Sequence, residues 1–305
     1  MDRLEYILCH GSGNKFVMLD AVAQDLTEFQ TAHFVQKICQ SNSSDGALFL
    51  TLDPSGRYAM RMFNTDGSEA EMCGNGIRCV ARLVSERYVN EQEFEMVSGG
   101  KIYKITHHEP MAEGVETFSV DIPIATHSSD FTLTTDRFVG KSIEALDTSL
   151  YFTYLNLGNP HIVALCDEID LDHLSLLGER VKKLPMIFPN GVNVSFMKYL
   201  APQQIFVATF ERGVGLTPSC GTAMTASCTA STLLGVCRDN MPIEVRNRGG
   251  AVQCTTSLEP TIVTTLRGNA TYNSCGYLNQ DGEILELTPL ESEREAWAKF
   301  VDTLK

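Results

Sequence analysis

Two cysteines in this sequence each stand directly before a glycine at the start of a helix-like stretch. Cys73 opens Cys-Gly-Asn-Gly within residues 68–79, and Cys220 opens Cys-Gly-Thr-Ala within residues 211–223. The first N–H groups of a helix have no partner inside the helix, and the helix dipole adds about half a positive charge there. A thiol at this position loses its proton more readily, so it can act as a base.

The glycines beside these cysteines leave backbone N–H groups open, and such groups bind carboxylates or phosphates. Each site would therefore hold an anion and move a proton. If two such sites face one small ligand, one thiolate removes a proton from a carbon while the opposite thiol delivers one to the other face. This exchange inverts a stereocentre without a cofactor, and the helix starts stabilise the charge that develops.

A free cysteine is more often a small buried apolar residue, and we keep that interpretation for the other eight cysteines. For Cys73 and Cys220 the duplication around them favours chemistry. An asparagine beside glycine, a Cys-Gly pair and a glycine-rich turn occur at Asn14, Cys73 and Gly99, and again at Asn159, Cys220 and Gly249. These three motifs are repeated in the same order at similar intervals, which predicts two homologous halves.

The elements that position the two thiols can be predicted from the apolar pattern. After Cys73, Ile77, Val80, Ala81 and Val84 fall on one helical face, and alanines follow Cys220 at similar spacing. Strand-like runs precede and follow each helix. We predict an α+β protein of two pseudo-symmetric domains, each a sheet wrapped around a central helix, with the active site in the cleft between them.

The domain boundaries follow from a polar, turn-rich stretch that begins near residue 123. We predict an N-terminal half at residues 1–130 and a C-terminal half at residues 131–275. A final segment, residues 276–305, is expected to pack back on the N-terminal half.

The composition limits the possible partners. The chain has 305 residues and a formal net charge of −14, which argues against nonspecific binding to nucleic acid or an anionic membrane. The N-terminus does not read as a signal peptide, and no apolar run reaches the roughly 18 residues of a membrane span. We expect a cytoplasmic protein with free thiols. Because no cysteine stands at zinc-ligand spacing, we expect no metal.

The sequence resembles the diaminopimelate epimerase family of cofactor-independent amino-acid epimerases. Residues 63–79 and 210–223 resemble its two cysteine motifs, and "HGSGNKFVMLD", "LGNPH" and "FPNGVNVSF" resemble its other marks. The resemblance implies an isomerase that uses two thiols and no cofactor on a small-molecule amino acid, most readily LL- or meso-diaminopimelate. A homodimer is one assembly that the sequence allows.

The resemblance also implies roles for individual residues. Cys73 and Cys220 would be the acid–base pair. The α-carboxylate would be held by Gly74, Asn75, Gly221 and Thr222. The distal amino-acid end would be held by Asn14, Asn64, Asn159, Asn193, Glu211 and Arg212. A guanidinium suits a carboxylate, and a carboxylate with amide oxygens suits an ammonium group. His161 is given no catalytic role.

Several positions depart from the family pattern and leave the substrate open. Lys15 stands where an aspartate is usual, and Leu216 stands where a glutamate is usual. Residues 41–50, Ala223 and Met224 also differ. A racemase of another amino acid, such as histidine, is the first alternative, and a non-catalytic module that binds anions or amino acids is the second. A cysteine hydrolase would need a histidine tied to a cysteine by a motif, and the sequence has none.

Overall fold

The computed structural model describes residues 3–304 and divides into two compact units. The first unit is Met1–Val120 with Arg267–Lys305, and the second is Asp121–Leu266. The divisions at 120/121 and 266/267 therefore place residues 121–130 in the second unit and residues 267–275 in the first.

The first unit contains strands on both sides of a central helix, and residues from the end of the chain join its sheet. Its elements are β1 Leu4–Gly11, β2 Asn14–Asp20, α1 Ala32–Asn42, β3 Gly46–Leu52, β4 Tyr58–Asn64, β5 Glu69–Ala70, α2 Gly74–Arg87, β6 Glu93–Ser98, β7 Lys101–His108 and β8 Thr117–Pro123.

The second unit repeats this order of elements. They are β9 Lys141–Ile143, β10 Asp147–Asn156, β11 Pro160–Leu165, α3 Leu171–Val181, β12 Asn193–Ala201, β13 Gln204–Glu211, β14 Gly215–Thr217, α4 Gly221–Leu233, β15 Ile243–Asn247, β16 Gly250–Ser257 and β17 Val263–Asn269. The chain then returns to the first unit with β18 Thr271–Leu278, β19 Ile284–Pro289 and α5 Glu291–Asp302.

The strand pairings show that the two units have the same topology. In the first, β1 pairs antiparallel with β2, β2 parallel with β3, β3 antiparallel with β4, and β4 parallel with β6. In the second, β10, β11, β12, β13 and β15 pair in the same senses. Parallel neighbours need a crossover, and a helix supplies it each time. The predicted pseudo-symmetric α+β fold is confirmed.

The central helices α2 and α4 are buried over most of their length, including polar side chains such as Arg78 and Thr225. In α2 every residue from Gly74 to Val84 is buried, and in α4 every residue from Gly221 to Thr232 is buried. Strands of the same unit contact each helix on several sides. A helix enclosed in this way cannot shift easily, so its first residues hold a fixed position.

The prediction of one helix per half was incomplete. Each unit has a second helix, α1 or α3. Its apolar face packs against the face of the sheet opposite the central helix. In α1 this face is Phe34, Val35 and Ile38, which join a buried cluster with strand residues such as Val17 and Phe49. Within residues 3–304, no helix is both long enough and apolar enough to cross a membrane.

Candidate active site

Cys73 is the residue that begins α2. Its backbone is extended, with φ −139° and ψ 107°, and its Sγ accepts a hydrogen bond from the N–H of Gly76 at 3.4 Å. This is the position at which serine or aspartate usually caps a helix. The sulfur is half-buried. An N–H that donates to sulfur, together with the helix dipole, stabilises negative charge there.

The predicted partners of Cys73 in the first unit gather around this helix start. Gly74 and Asn75 are the first two residues of α2. Asn14 begins β2 after a two-residue turn in which Ser12 and Gly13 both have positive φ, as a type I′ hairpin turn requires. The amide nitrogen of Asn75 donates to Oδ1 of Asn14 at 3.5 Å.

Asn64 lies at the same end of the sheet as Asn14. The strand register joins Phe16 of β2 to Gly46 of β3 and Gly46 to Asn64 of β4. The Asn64 side chain donates to Oγ of Ser68 at 3.0 Å within its own hairpin. Strand register therefore places Asn64 in line with Phe16, two residues from Asn14. Asn75, in contrast, contacts Asn14 directly.

Cys220 begins α4 in the same extended conformation, with φ −130° and ψ 111°. It is more enclosed than Cys73, since only 8% of its surface is exposed. Its Sγ lies 3.5 Å from Oγ1 of Thr222, and the Glu211 carboxylate is near enough to act on its charge. Glu211 in turn accepts from Oγ1 of Thr217.

These surroundings raise the pKa of the Cys220 thiol well above its ordinary value. Burial is the main cause, and the Glu211 carboxylate raises the pKa further, while the Thr222 hydroxyl and the Ala223 N–H act in the opposite direction. The expectation of a thiol made more acidic by the helix start is therefore wrong for Cys220. Loss of water and a neighbouring negative charge outweigh the helix dipole.

His161, which the sequence analysis left without a role, joins several of the predicted residues. Its ring is fully buried, and Nε2 lies 3.1 Å from Oδ1 of Asn159, 3.1 Å from Oγ1 of Thr222 and 3.4 Å from Nδ2 of Asn193. The sequence did hold a signal. Asn159 and His161 are two residues apart at the start of β11, so they share one face of the strand. The parallel register that places His161 beside Asn193 could not be predicted from the sequence.

The His161 ring is neutral. Burial is the main cause of a pKa lowered to about 3, and the positive charge of Arg212 lowers it as well. Nδ1 is buried and has no hydrogen-bond partner within the part of the chain that the structure describes. A neutral ring can hold the Thr222 hydroxyl and the Asn159 amide without placing a positive charge beside Cys220.

Replacing His161 with glutamine is expected to reduce the acid sensitivity of folding. The unfolded chain binds a proton at His161 near the ordinary pKa of 6.5, whereas the folded chain does so only near 3. The neutral, buried His161 therefore adds no pH dependence to the free energy of unfolding above pH 6.5. Below pH 6.5 it lowers that free energy by about 1.4 kcal/mol for each pH unit. Urea unfolding at about pH 7.5 and about pH 5.5 measures this loss.

The His161→Gln variant should lose less unfolding free energy over that interval than the unchanged protein. His10, whose pKa burial lowers to about 4, contributes equally to both proteins and serves as the internal reference. An identical loss in both proteins would contradict a neutral buried His161.

Arg212 follows Glu211 at the end of β13, in a turn toward β14. Its backbone N–H donates to Oδ1 of Asn193 at 2.9 Å, and its guanidinium Nη1 donates to the carbonyl of Asn190 at 2.6 Å. The side chain is otherwise exposed. Because only Nη1 of the guanidinium is used in this bond, its other N–H groups can bind a carboxylate.

The second unit thus joins all its predicted site residues through contacts at the start of α4, with Gly221 as the first residue of that helix. They are Asn159, Asn193, Glu211, Arg212, Cys220 and Thr222. Among the described residues, no group of three or more histidines, cysteines, aspartates or glutamates is arranged to hold a metal ion.

Comparisons with known proteins identify the family of this chain. The family model "Diaminopimelate epimerase" matches residues 6–119 and 153–273. A diaminopimelate epimerase from Clostridium acetobutylicum is 36% identical over 258 residues, which cover 82% of this chain and 77% of that protein.

Two solved structures share the fold at low sequence identity. A phenazine biosynthesis protein of the PhzF family from Bacillus anthracis has a TM-score of 0.66 and 16% identity, covering 91% of this chain and 99% of that chain. A hydroxyproline epimerase from Agrobacterium vitis has a TM-score of 0.60 and 14% identity, covering 99% of this chain and 100% of that chain.

Proposed function

Since this chain belongs to the diaminopimelate epimerase family of amino-acid isomerases, we propose that it interconverts LL- and meso-diaminopimelate with two thiols and no cofactor. The observation that carries this proposal is the matched pair of helix starts. In each unit a cysteine begins a buried central helix whose next residue is glycine.

Cys73 is the sulfur that ionises more readily before the substrate binds, and its thiolate is available as the base. Its sulfur accepts the Gly76 N–H at the positive end of α2, which favours a thiolate. It would take the α-proton from the face of the substrate that it meets. The N–H groups at the start of the helix would bind the α-carboxylate and share the charge of the carbanion.

Cys220 is the sulfur that still carries a proton when the substrate binds. Burial and the Glu211 carboxylate raise the pKa of its thiol, so the sulfur keeps its proton until a strong base appears beside it. The carbanion is such a base. Its α-carbon takes the Cys220 proton on the face opposite to the one that lost a proton, and the configuration is inverted. Cys73 is then a thiol and Cys220 a thiolate, which is the starting state for the reverse reaction.

The choice of diaminopimelate rests on the distal amino-acid group. Glu211 can pair with an ammonium group and Arg212 with a carboxylate, while the asparagines supply both donors and acceptors. A substrate with a single amino-acid head would gain less binding from these groups, because it has no second amino-acid group to offer them.

A racemase of another amino acid, such as histidine, is the second candidate. Leu216 is 44% exposed on β14, four residues before Cys220, and it supplies an apolar surface where family members carry a glutamate. Lys15, beside Asn14, changes the charge at the other half-site. Both positions favour a substrate whose distal end differs from that of diaminopimelate.

Exchange of the α-proton in deuterium oxide, followed by NMR without pyridoxal phosphate, tests the proposal. The expected result is exchange with inversion for LL- and meso-diaminopimelate and little for histidine, lysine, ornithine, glutamate or proline. Exchange with inversion on a single-headed amino acid alone would replace the substrate and keep the chemistry. No exchange on any amino acid would overturn the proposal and favour a binding module.

A further inference from the structure

We propose that Asp45 and Arg78 are positioning residues that fix the amide orientation of Asn14 and Asn75 beside Cys73. This inference rests on the proposed function, because it assigns these amides to substrate binding. It begins from a line of hydrogen bonds that runs through all four side chains and has a charged group at each end.

One end of the line is a buried cation. Arg78 lies one turn into α2 and is fully buried. Its Nη1 donates to the carbonyl of Gly74 at 2.7 Å, and its Nη2 donates to Oδ1 of Asn75 at 3.0 Å. A guanidinium can only donate hydrogen bonds, so the oxygen of the Asn75 amide must face it.

The other end is a carboxylate. With the Asn75 oxygen directed to Arg78, its Nδ2 faces Oδ1 of Asn14 at 3.5 Å. The Nδ2 of Asn14 then donates to Oδ2 of Asp45 at 2.9 Å. An ionised carboxylate can only accept, so the nitrogen of the Asn14 amide must face it. Both ends therefore require the same direction of donation along the line.

The agreement of the two ends excludes a flipped amide. If Asn14 turned by 180°, its nitrogen would meet the nitrogen of Asn75 and its oxygen would meet the carboxylate of Asp45. If Asn75 turned, its nitrogen would meet the Arg78 guanidinium. The central contact of 3.5 Å is the longest, so the two charged ends determine the orientation more than the middle does.

Fixed amides matter because Asn14, which is partly exposed, keeps hydrogen-bonding capacity for a ligand, while the buried Asn75 holds it in orientation. An amide has two N–H groups and two lone pairs on its oxygen, and the line uses only part of them. A side chain that is already oriented loses little freedom when the substrate binds. Since Asp45 contacts Asn14, which is assigned to the distal amino-acid end and not to the reacting α-carbon, this advantage is equal for the bound substrate and the transition state. Loss of orientation should then raise KM and leave kcat almost unchanged.

Asp45 is the residue to change, because Arg78 is buried and its replacement would disturb the core. Asp45 is exposed, and its Oδ2 also accepts the backbone N–H of Lys15 at 2.8 Å. Asp45→Asn keeps a side-chain oxygen for both donors, whereas Asp45→Ala removes it. Asp53→Ala is the matched control, since Asp53 is a half-buried turn carboxylate beyond the opposite end of β3.

We expect Asp45→Ala to raise KM for meso-diaminopimelate about five- to tenfold with kcat within about twofold. Asp45→Asn should restore KM to within about twofold, and Asp53→Ala should leave both constants unchanged. An unchanged KM in Asp45→Ala would overturn the inference. Equal increases in Asp45→Ala and Asp45→Asn would also overturn it, because they would show that charge, and not amide orientation, is what Asp45 supplies.

Side-chain amide NMR of protein labelled with ¹⁵N-asparagine gives a readout that needs no turnover. The NH₂ signals of Asn14 and Asn75, identified by their loss in Asn14→Asp and Asn75→Asp, should both shift in Asp45→Ala and stay in place in Asp53→Ala. If the unchanged protein exchanges no amino acid, the proposed function fails, and these signals still decide whether the line of hydrogen bonds exists. Signals that do not respond to Asp45→Ala would overturn it.

Discussion

Replacing Cys73 with serine is expected to lower kcat/KM for epimerisation by about 10³-fold. A positioned general acid or base contributes roughly 10²- to 10⁴-fold, and a serine hydroxyl at the same place is a far weaker base than a thiolate. The Gly76 N–H that donates to sulfur can also donate to the serine oxygen, so α2 should still begin at the same residue. Loss of activity would then reflect chemistry and not the fold.

The pattern of isotope exchange separates two bases from one. With Cys73→Ser, the α-proton that faces Cys220 should still exchange with solvent, whereas the opposite isomer should not. Cys220→Ser should show the reverse preference, and neither variant should invert the α-carbon at an appreciable rate. Cys166→Ser is the control for loss of a half-buried thiol outside the site. If both variants lost exchange on the same isomer, a single base would be acting and the two-thiol mechanism would be wrong.

The helix starts at Cys73 and Cys220 could be predicted because local sequence determines them. A cysteine directly before a glycine and an apolar face that begins within the next turn can both be recognised in the sequence. The repeated order of the asparagine, Cys-Gly and glycine-turn motifs could be recognised for the same reason. The helices α1 and α3 lie away from the two cysteine motifs, and no prediction was made for them although their buried residues also follow helical spacing.

The remaining features of the site depend on contacts between distant parts of the chain. Asp45 reaches Asn14 across 31 positions. His161 meets Asn193 only through the parallel register of β11 and β12. The pKa of Cys220 moved against expectation because burial and the Glu211 carboxylate oppose the helix dipole. Residue types predict which groups are available, whereas strand register and burial determine what they do.

Replacing Arg212 with alanine is expected to lower kcat/KM for diaminopimelate by about 10²-fold. The guanidinium is held over the turn at Gly191 by its bond to the carbonyl of Asn190, so it is oriented before the substrate arrives. Its remaining N–H groups can bind the distal carboxylate, and hydrogen bonds between charged groups contribute about 1.5–3 kcal/mol. Without it, a carboxylate removed from water has no counter-charge.

Arg212→Lys distinguishes charge from geometry. A lysine ammonium keeps the charge but cannot make two parallel bonds, so it should recover only part of the loss. Arg238→Ala, which removes an exposed arginine elsewhere in the same unit, is the control for net charge. A second test compares KM for diaminopimelate with KM for lysine, its single-headed analogue, because lysine has no distal carboxylate. Any activity on lysine should be insensitive to Arg212→Ala. If Arg212→Ala left diaminopimelate kinetics unchanged, Arg212 would not bind the distal carboxylate, and the second candidate, a racemase of a different amino acid, would be favoured.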